Sequence, residues 1–342
     1  MERNTSKLKS QKPKKKLIEQ ILIHKKKIKI LILGILFFFV ESEILSFFTM
    51  NKNISLNSII KKFKGKNYKS NKVCICTFGK EENLYIREFI EHYKNYGVDK
   101  IYLYDNNDIN GEKFDNVIAD FVKGGYVYLF NWRGKKAPQF SFMNDCYQKT
   151  KNLYNWIMYP DIDEFIHLSN YTKVIDFLDE PKFNNCNIVY LNLLPHTDNG
   201  QLKYENRPLK ERFPYHIPLT KQNLKRLEIK FIIRGNLSKI KLNLVHFGVA
   251  GMKKNCNGFG HKNRFNFYTT EPDTQFYYYI HYYCKSTEEF IQKLKRGGGD
   301  DHSLKFKYGR IKKYFQENKK TLEKILMIEK ATGLNLSNYK QK

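Results

Sequence analysis

The chain has 342 residues and a formal net charge of +27 at pH 7, from 61 Lys and Arg against 34 Asp and Glu. Its hydrophobic content of 41% and aromatic content of 15% exclude a disordered chain and predict one large or two ordinary domains. The basic excess suits nucleic acid, anionic lipid or a phosphorylated small molecule. Neither zinc-finger spacing nor an RNP-type sequence accompanies it, so no nucleic-acid partner is expected.

The amino terminus has the pattern of a membrane-targeting segment. Residues 1–71 carry 17 basic and 4 acidic residues, a net charge of +13 (17 − 4). The apolar run ILILGILFFFV has 11 residues, fewer than the ~20 of an ordinary spanning helix. We predict a basic cytoplasmic tail at 1–27, a short signal anchor at 28–50 and a polar stem at 51–71. An interfacial helix is the alternative.

This arrangement predicts where the protein resides. A signal anchor with its lysines in the cytoplasm makes a single-pass type II membrane protein whose folded part lies in the Golgi or ER lumen. In a bacterial or viral source, the expected location is instead the cytoplasmic face of the membrane, with peripheral attachment.

Strand and helix patterns alternate from residue 73 onward. Short apolar runs predict four strands, and stripes at helical spacing predict three helices between them. In chain order these are VCICTF, a helix at 82–96, KIYLYDNN, a helix near 114–122, YVYLFNW, a helix at 139–152 and YNWIMYP. The alternation predicts an α/β domain with a mainly parallel central sheet flanked by helices.

The pattern loosens after the fourth strand. The later predicted elements are the strands NIVYLNLL (187–194) and SKIKLNLVHF (238–247), the amphipathic helix STEEFIQKLKRGGG and a Lys-rich helix at about 310–331. We place a catalytic domain at 72–305 and a C-terminal helical extension at 306–342.

Six cysteines are scattered without C-x-x-C pairs. Cys74 and Cys76 alternate within the first predicted strand, so both point to one face. The cysteines fit small buried apolar side chains, and one or two disulfides are the alternative if the domain is lumenal.

The stretch YPDIDEFIHL places three carboxylates directly behind the fourth strand. Ligands of open α/β sheets bind at the carboxyl ends of strands, and hard divalent cations prefer carboxylate oxygens. In an extended segment Asp161 and Asp163 point the same way and form a metal pair, whereas Glu164 lies on the other face and supports them. A solvated turn is the alternative. No P-loop, dinucleotide fingerprint or G-x-S-x-G elbow appears.

The order of several sequence segments, together with this motif, resembles nucleotide-sugar glycosyltransferases of the GT-A fold, in family 92 and the related family 2-like group. The matching segments are GKEENLYIREFIEHYKNYGVDKIYLYDNN, QFSFMNDCY, WIMYPDIDEFI, RPLKERF, VHFG and IHYYCKSTEEFIQKLKRG. They extend over about residues 73–297. The resemblance implies a GT-A nucleotide-sugar-binding domain that uses Mn²⁺ or Mg²⁺, a UDP-sugar donor (galactose is the leading sugar), a glycan acceptor and inversion.

The resemblance also implies which residues bind the donor and the metal. Nucleotide-sugar contacts are expected from Thr77, Lys80, Glu82, Asp105, Asp161, Lys285 and Arg296. Metal ligands are expected from Asp161, Asp163 and one late histidine, either His246 or His281. The alternatives are structural roles. Lys80 and Glu82 then begin a helix, Asp105 forms a turn, and the histidines are core residues whose hydrogen bonds are satisfied within the protein.

Inversion requires a carboxylate that takes the proton of the acceptor hydroxyl. Glu211 in RPLKERF is the first candidate and Asp198 is the second, while a surface salt bridge is the alternative role for Glu211. Gln139, Asn144 and Glu164 are expected near the donor or acceptor sugar. A catalytically inactive, membrane-tethered sugar-binding protein and a metal-dependent phosphodiesterase remain as alternative functions.

Overall fold

The computed structural model describes residues 72–135, 139–238, 240–243, 246, 253–262, 272–297 and 303–336. The predicted cytoplasmic tail, signal anchor and stem lie outside the described residues. Within the described ranges, no helix has the length and apolar character that a membrane crossing requires.

The strands of the described residues form one mixed sheet. They are β1 Val73–Gly79, β2 Lys100–Asp105, β3 Val127–Asn131, β4 Trp156–Met158, β5 Glu164–Leu168, β6 Ile188–Pro195, β7 Ile229–Arg234, β8 Asn255–Asn257 and β9 Tyr277–His281. Their order is β3-β2-β1-β4-β7-β6-β9-β5, with β8 paired to β6.

The direction of the strands changes across this sheet. The strands β3, β2, β1 and β4 are parallel to one another, as the sequence predicts. The pairs β4–β7, β6–β7 and β5–β9 are antiparallel, and β6 pairs in parallel with β8 and β9. The mainly parallel arrangement therefore holds for the first four strands, and the later strands make the sheet mixed.

Helices connect most of these strands, and in the described residues three further helices follow β9 in the chain. They are α1 Ile86–Asn95, α2 Asp115–Lys123, α3 Gln139–Thr150, α4 Val174–Leu178, α5 Leu209–Arg212, α6 Lys221–Leu224, α7 Thr287–Arg296, α8 Leu304–Glu317 and α9 Leu322–Thr332. A short 3₁₀ turn covers Pro181–Phe183.

The amphipathic pattern of α1 explains how it packs. Ile86, Phe89, Ile90 and Tyr93 recur at helical spacing and are all buried. The helix begins four residues later than predicted, because the amide groups of Tyr85 and Ile86 both donate to the carbonyl of Glu82 in a preceding turn.

The strand register brings the carboxyl ends of the first strands to one edge of the sheet. Gly79 at the end of β1 pairs with Asp105 at the end of β2, and Asp105 pairs with Asn131 at the end of β3. β4 ends beside Ile75 of β1, and the chain continues from there toward the same edge. The D-x-D motif follows β4 directly, so it belongs to this edge.

Several later elements differ from the sequence prediction. The predicted strand at 238–247 has no strand among its described residues, and β7 forms instead within the segment IKFIIR. β5, directly behind the acidic motif, was not predicted either. The predicted single C-terminal helix is two helices in the structure. Asn318 leaves the helical conformation, and a new helix begins after Thr321, whose hydroxyl accepts a hydrogen bond from the amide of Lys324.

Two disulfide bonds join distant parts of the fold. Cys76–Cys146 connects β1 to α3, and Cys186–Cys256 connects the segment before β6 to β8. Cys74 and Cys284 are free and buried. Each bond spans a sequence separation of 70 residues, so each restricts the unfolded chain and stabilises the fold by about 2–4 kcal/mol.

Thiol titration tests this pairing. Denatured, unreduced protein secreted from a eukaryotic host should show two reactive thiols, because four of the six cysteines are paired. Reduction should expose all six and lower the free energy of unfolding by about 2–4 kcal/mol for each bond. Six reactive thiols before reduction would contradict the two disulfides.

A buried histidine predicts how stability depends on acid. His92 of α1 lies against β5, where its Nε2 is 3.0 Å from the carbonyl of Ile166, and burial lowers its pKa from 6.5 to about 4. The unfolded chain therefore binds a proton first, and stability is lost as the pH falls from about 6.5 to 4. His92→Gln keeps a donor for the carbonyl of Ile166 but removes the titrating ring. Between pH 6.5 and pH 4 the free energy of unfolding of this variant should therefore fall by about 2 kcal/mol less than that of the wild type.

Urea denaturation at pH 6.5 and pH 4 measures the difference. His216 is exposed and serves as the matched control. His216→Gln should keep the wild-type pH dependence, and the same pH dependence for His92→Gln would contradict this role of His92.

Candidate functional site

The acidic motif forms a tight turn at the edge of the sheet. The amide of Glu164 donates to the carbonyl of Asp161 over 3.0 Å, and the amide of Asp161 donates to Glu164 Oε2 over 2.9 Å. The segment is therefore not extended, and the prediction that Asp161 and Asp163 point the same way is wrong. Because the chain turns, Asp161 and Glu164 meet at one partner and Asp163 meets others.

The shared partner of Asp161 and Glu164 is Lys230 of β7. Its Nζ lies 2.9 Å from Asp161 Oδ2 and 2.9 Å from Glu164 Oε2. The side chains of Lys230 and Glu164 are each 1% exposed, whereas that of Asp161 is 41% exposed. Glu164 thus supports the motif from inside, and Asp161 is the more exposed carboxylate of the two.

The charges of this group depend on one another. Burial opposes the charge of Lys230, but Asp161 and Glu164 outweigh it and raise the pKa of the lysine. Burial acts to raise the pKa of Glu164, whereas Lys230 acts to lower it and favours the charged carboxylate. The sequence analysis did not identify Lys230. The available signal is a single lysine within the otherwise apolar segment IKFIIR.

Asp163 has a different set of partners. Its carboxylate lies 2.7 Å from Lys293 Nζ and 3.7 Å from His281 Nε2. Burial opposes its charge, but the ammonium groups of Lys293 and Lys285 outweigh it and hold the pKa of Asp163 well below its usual value. Because Asp163 is charged and its side chain is only 7% exposed, these cations are what keep it in place.

The two candidate histidines lie on either side of the motif. Burial lowers the pKa of His281 to about 3, so its ring is neutral, and its Nδ1 has no hydrogen-bond partner among the described residues. Burial also lowers the pKa of His246, and the charges of Lys230 and Asp161 act on it. The Nδ1 of His246 is 3.0 Å from the carbonyl of Ile229.

The donor set at this edge can be compared with the needs of a divalent cation. The described residues contain no group of three or more His, Cys, Asp or Glu side chains arranged to hold a metal. Mg²⁺ and similar hard cations, however, are commonly bound through one or two carboxylates together with substrate phosphates. The accessible carboxylate of Asp161, and Asp163 beside the neutral His281, fit that shared mode of binding.

The loop after β1 is attached to α7. Glu82 lies 2.7 Å from Arg296 Nη1 and 3.7 Å from Lys285 Nζ, and Arg296 also donates to the carbonyl of Lys80. Lys285 adopts a left-handed backbone with φ of 53°, and its Nζ lies 4.0 Å from the ring centre of Tyr85. Such conformations are costly for residues with a side chain and are frequent at functional sites.

The other predicted donor residues of this edge are also placed by the structure. Thr77 is buried, and its hydroxyl has no hydrogen-bond partner among the described residues. Lys80 pairs with Asp108 over 2.8 Å near the surface.

Asp105 is held by its own turn and by Arg133. Its Oδ1 accepts from the backbone and side-chain nitrogens of Asn107, and its Oδ2 lies 3.2 Å from Arg133. The guanidinium of Arg133 also donates to four carbonyls between residues 108 and 112. Arg133 therefore fixes the loop after β2. This role was not predicted from the sequence, because Arg133 follows β3 and its partners lie in the earlier loop.

Basic side chains surround one aromatic ring next to Asp163. Lys293, Lys313 and Arg310 lie 4.3, 4.6 and 5.3 Å from the ring centre of Tyr283. Arg310 also donates to the Tyr283 hydroxyl over 2.8 Å. Together with Lys285 and Arg296, these side chains concentrate positive charge beside the acidic motif.

The predicted catalytic bases lie apart from this group. Asp198 is 2% exposed, forms an ion pair with Lys324 and accepts a hydrogen bond from the Tyr314 hydroxyl over 2.6 Å. Glu211 is exposed on α5. Neither contacts Asp161 or Asp163 through a hydrogen bond or ion pair in the described part of the chain.

The two predicted sugar-contacting amides lie on α3. Gln139 begins this helix. The side chain of Asn144 is committed to the backbone, because it donates to the carbonyls of Phe140 and Leu242 and accepts from the Leu242 amide. In this arrangement Asn144 fixes the position of the segment around Leu242.

Comparison with known proteins identifies relatives of this chain. Glycosyltransferase family 92 matches residues 69–325. A family 92 protein of Ricinus communis is 25% identical over 130 residues, which is 38% of this chain and 23% of that protein. A family 92 protein of Oryza sativa subsp. japonica is 27% identical over 111 residues, 32% of this chain and 18% of that protein. The chain thus matches less than a quarter of the length of these relatives.

Two solved structures also resemble the fold at a low level. S. aureus TarS 1–349 in complex with UDP-GlcNAc has a TM-score of 0.37 and 12% identity, and the match covers 77% of this chain and 80% of that one. The mannosyltransferase PcManGT from Pyrobaculum calidifontis, in complex with GDP-Man and Mn²⁺, has a TM-score of 0.28 and 9% identity, with 38% and 40% covered.

A double-mutant cycle tests the shared partner of the acidic turn. Lys230→Met should lower the free energy of unfolding by about 3 kcal/mol, because it leaves Asp161 and the buried Glu164 without their cation. Lys230→Met combined with Glu164→Gln should recover at least about 1 kcal/mol of that loss, since the second change removes the unpaired carboxylate.

Urea denaturation of the two single variants and the double variant measures the cycle. Lys225→Met changes an exposed lysine and should leave stability within about 0.5 kcal/mol of the wild type. Strictly additive losses for Lys230 and Glu164 would contradict the pairing.

Proposed function

Because this chain belongs to glycosyltransferase family 92, with a match over residues 69–325, we propose that it transfers a hexose from a UDP-sugar to a hydroxyl group of a glycan, with Mn²⁺ or Mg²⁺. One observation carries this proposal. Two carboxylates, Asp161 and Asp163, lie at the carboxyl edge of the sheet, and a group of buried and half-buried cations lies beside them. A carboxylate pair next to fixed positive charge suits a metal-bound diphosphate.

The donor would bind across the carboxyl ends of β1 and β2, the usual ligand position of open α/β sheets. The unpartnered hydroxyl of Thr77, the loop with Lys80 and Glu82, and the edge at Asp105 are the groups offered to the nucleoside. This assignment is supported by the shared edge of the three segments.

The diphosphate would lie between the acidic turn and α7. Lys285, Lys293 and Arg296 project from the segment after β9 and from α7 toward Glu82 and Asp163. Fixed cations here neutralise the charge that develops on the leaving UDP, and because they are already in place they need little rearrangement.

A divalent cation would be held by Asp161 and Asp163, with His281 or His246 near enough to complete the site. When bound, such an ion acts as a Lewis acid that stabilises the leaving diphosphate. The role of Lys230 is to hold Asp161 and Glu164 together, so that the turn presents the accessible oxygen of Asp161 to the ligand.

The remaining parts of the proposal concern fold type, topology and sugar. We assign the mixed sheet to the GT-A type, with a catalytic domain at 72–305 and a helical extension at 306–342. Two disulfides fit an oxidising compartment and support a lumenal domain behind an amino-terminal anchor. Galactose as the donor sugar and inversion as the outcome follow from family resemblance.

Removal of the carboxylates tests the proposal. The wild-type protein should release UDP from UDP-galactose or another UDP-sugar when Mn²⁺ is present and lose this activity in EDTA. Asp161→Asn and Asp163→Asn should each lower the rate at least about 100-fold, because each removes charge that binds the cation. A coupled assay for UDP measures the rates, and thermal unfolding shows whether each variant is folded.

Asp176→Asn is the matched control, since Asp176 is exposed on α4. It should keep the wild-type rate. Undiminished activity of Asp163→Asn in EDTA would contradict the metal role. A stabilising effect of UDP and Mn²⁺ without UDP release would favour an inactive sugar-binding protein, and release of UMP in place of UDP would favour a phosphodiesterase.

A further inference from the structure

A small cleft lies next to the acidic motif. It has a volume of about 200 Å³ and lies between the ends of β6 and β9, the segment 217–228 and α8. Sites for larger organic ligands have volumes of about 300–1,000 Å³, so this cleft has room for one small ring.

The walls of the cleft combine apolar and polar side chains. Leu193, Ile217 and Leu227 supply apolar surface, and Asn223 and Gln316 supply amide donors and acceptors. Glu228 and Lys313 form an ion pair over 3.1 Å on the same wall. A sugar ring has the matching chemistry, because it presents hydroxyl groups at its rim and C–H groups on its faces.

His281 belongs both to this cleft and to the candidate active site. It lines the cleft, and its Nε2 lies 3.7 Å from Asp163 Oδ1. The other ring nitrogen, Nδ1, is buried and has no hydrogen-bond partner among the described residues. A ligand in the cleft would therefore lie beside a side chain that also approaches Asp163.

Two carboxylates line the cleft, and they differ in their partners. Glu228 forms an ion pair with Lys313, which overcomes the effect of burial and lowers the pKa of Glu228 to about 2. Glu317 accepts a hydrogen bond from the Cys284 thiol over 3.3 Å. Burial raises the pKa of Glu317 to about 6, with Lys313 and Lys293 opposing the shift and Glu228 adding to it. A carboxylate that is not held in an ion pair is the better proton acceptor.

We propose that this cleft binds one sugar ring of the acceptor and that Glu317 takes the proton of the attacking hydroxyl, a proposal that rests on the function proposed above. The hydroxyl oxygen forms a bond to the anomeric carbon of the donor, and its proton passes to the Glu317 carboxylate. The bond between the anomeric carbon and the diphosphate oxygen breaks, and its electron pair leaves with UDP. Unlike Glu211 and Asp198, Glu317 lines a cleft that shares His281 with the candidate active site.

Two variants separate the cleft from the donor site. Glu317→Gln removes the proton acceptor and keeps the shape of the side chain. Gly309→Leu places a side chain in the cleft, because Gly309 lines it and a Cβ at this position meets no atom within 4 Å. Glu323→Gln changes an exposed carboxylate on α9 and is the matched control.

The probes are methyl glycosides of galactose, glucose, mannose and N-acetylglucosamine. Saturation-transfer NMR with the full chain, UDP and Mg²⁺ measures their binding, and mass spectrometry with UDP-galactose and Mn²⁺ measures transfer to them. At least one glycoside should bind the wild type and accept the sugar. Gly309→Leu should abolish both signals, and Glu317→Gln should keep binding but lower kcat for transfer by about 10²- to 10⁴-fold.

The thermal shift with UDP and Mn²⁺ should stay at the wild-type value in both cleft variants, which shows that they fold and bind the donor product. Equal glycoside binding by Gly309→Leu and the wild type, no binding of any glycoside to the wild type, or unchanged transfer by Glu317→Gln would overturn the inference. Absence of the thermal shift and of UDP release in the wild type would instead contradict the proposed function itself.

Discussion

The contact on which the site depends is that of Lys230 with Asp161 and Glu164. Two carboxylates this close to each other, one of them 1% exposed, repel unless a cation lies between them. Lys230 provides that cation from β7, a strand that runs antiparallel to β4, so the acidic turn is fixed by the part of the sheet that departs from the parallel order. Once the turn is fixed, it directs Asp163 away from Lys230 and toward His281 and Lys293.

A second buried ion pair holds the basic side of the site in position. Arg212 of α5 pairs with Glu289 of α7, and both side chains are almost completely buried. Glu289 also completes the capping box with Ser286 and accepts from the Tyr85 hydroxyl next to the β1 loop. α7 is thereby attached to both α5 and the donor edge. The RPLKERF segment, which carries the candidate base Glu211, also contributes Arg212 as a structural residue.

The sequence was sufficient for elements whose patterns are local. The apolar runs of β1 to β4 and the helical stripe of α1 predicted the parallel part of the sheet, and the position of Asp161 and Asp163 behind β4 was found in the same way. β7 was missed because Lys230 interrupts a short apolar run. The predicted orientation of the acidic residues was wrong, because the sequence DIDE is compatible with both a turn and an extended segment. Lys293 and Glu317 reach the site only through long-range packing of α7 and α8, which no local pattern records.

We infer that the acidic turn and the cations beside it hold a metal-bound UDP. Anomalous diffraction from crystals grown with UDP and Mn²⁺ measures this directly. One manganese peak is expected at about 2 Å from a carboxylate oxygen of Asp161 or Asp163, with the diphosphate between the metal and Lys293 and the uracil near the ends of β1 and β2. A manganese peak that contacts neither aspartate, with UDP bound elsewhere on the protein, would contradict it.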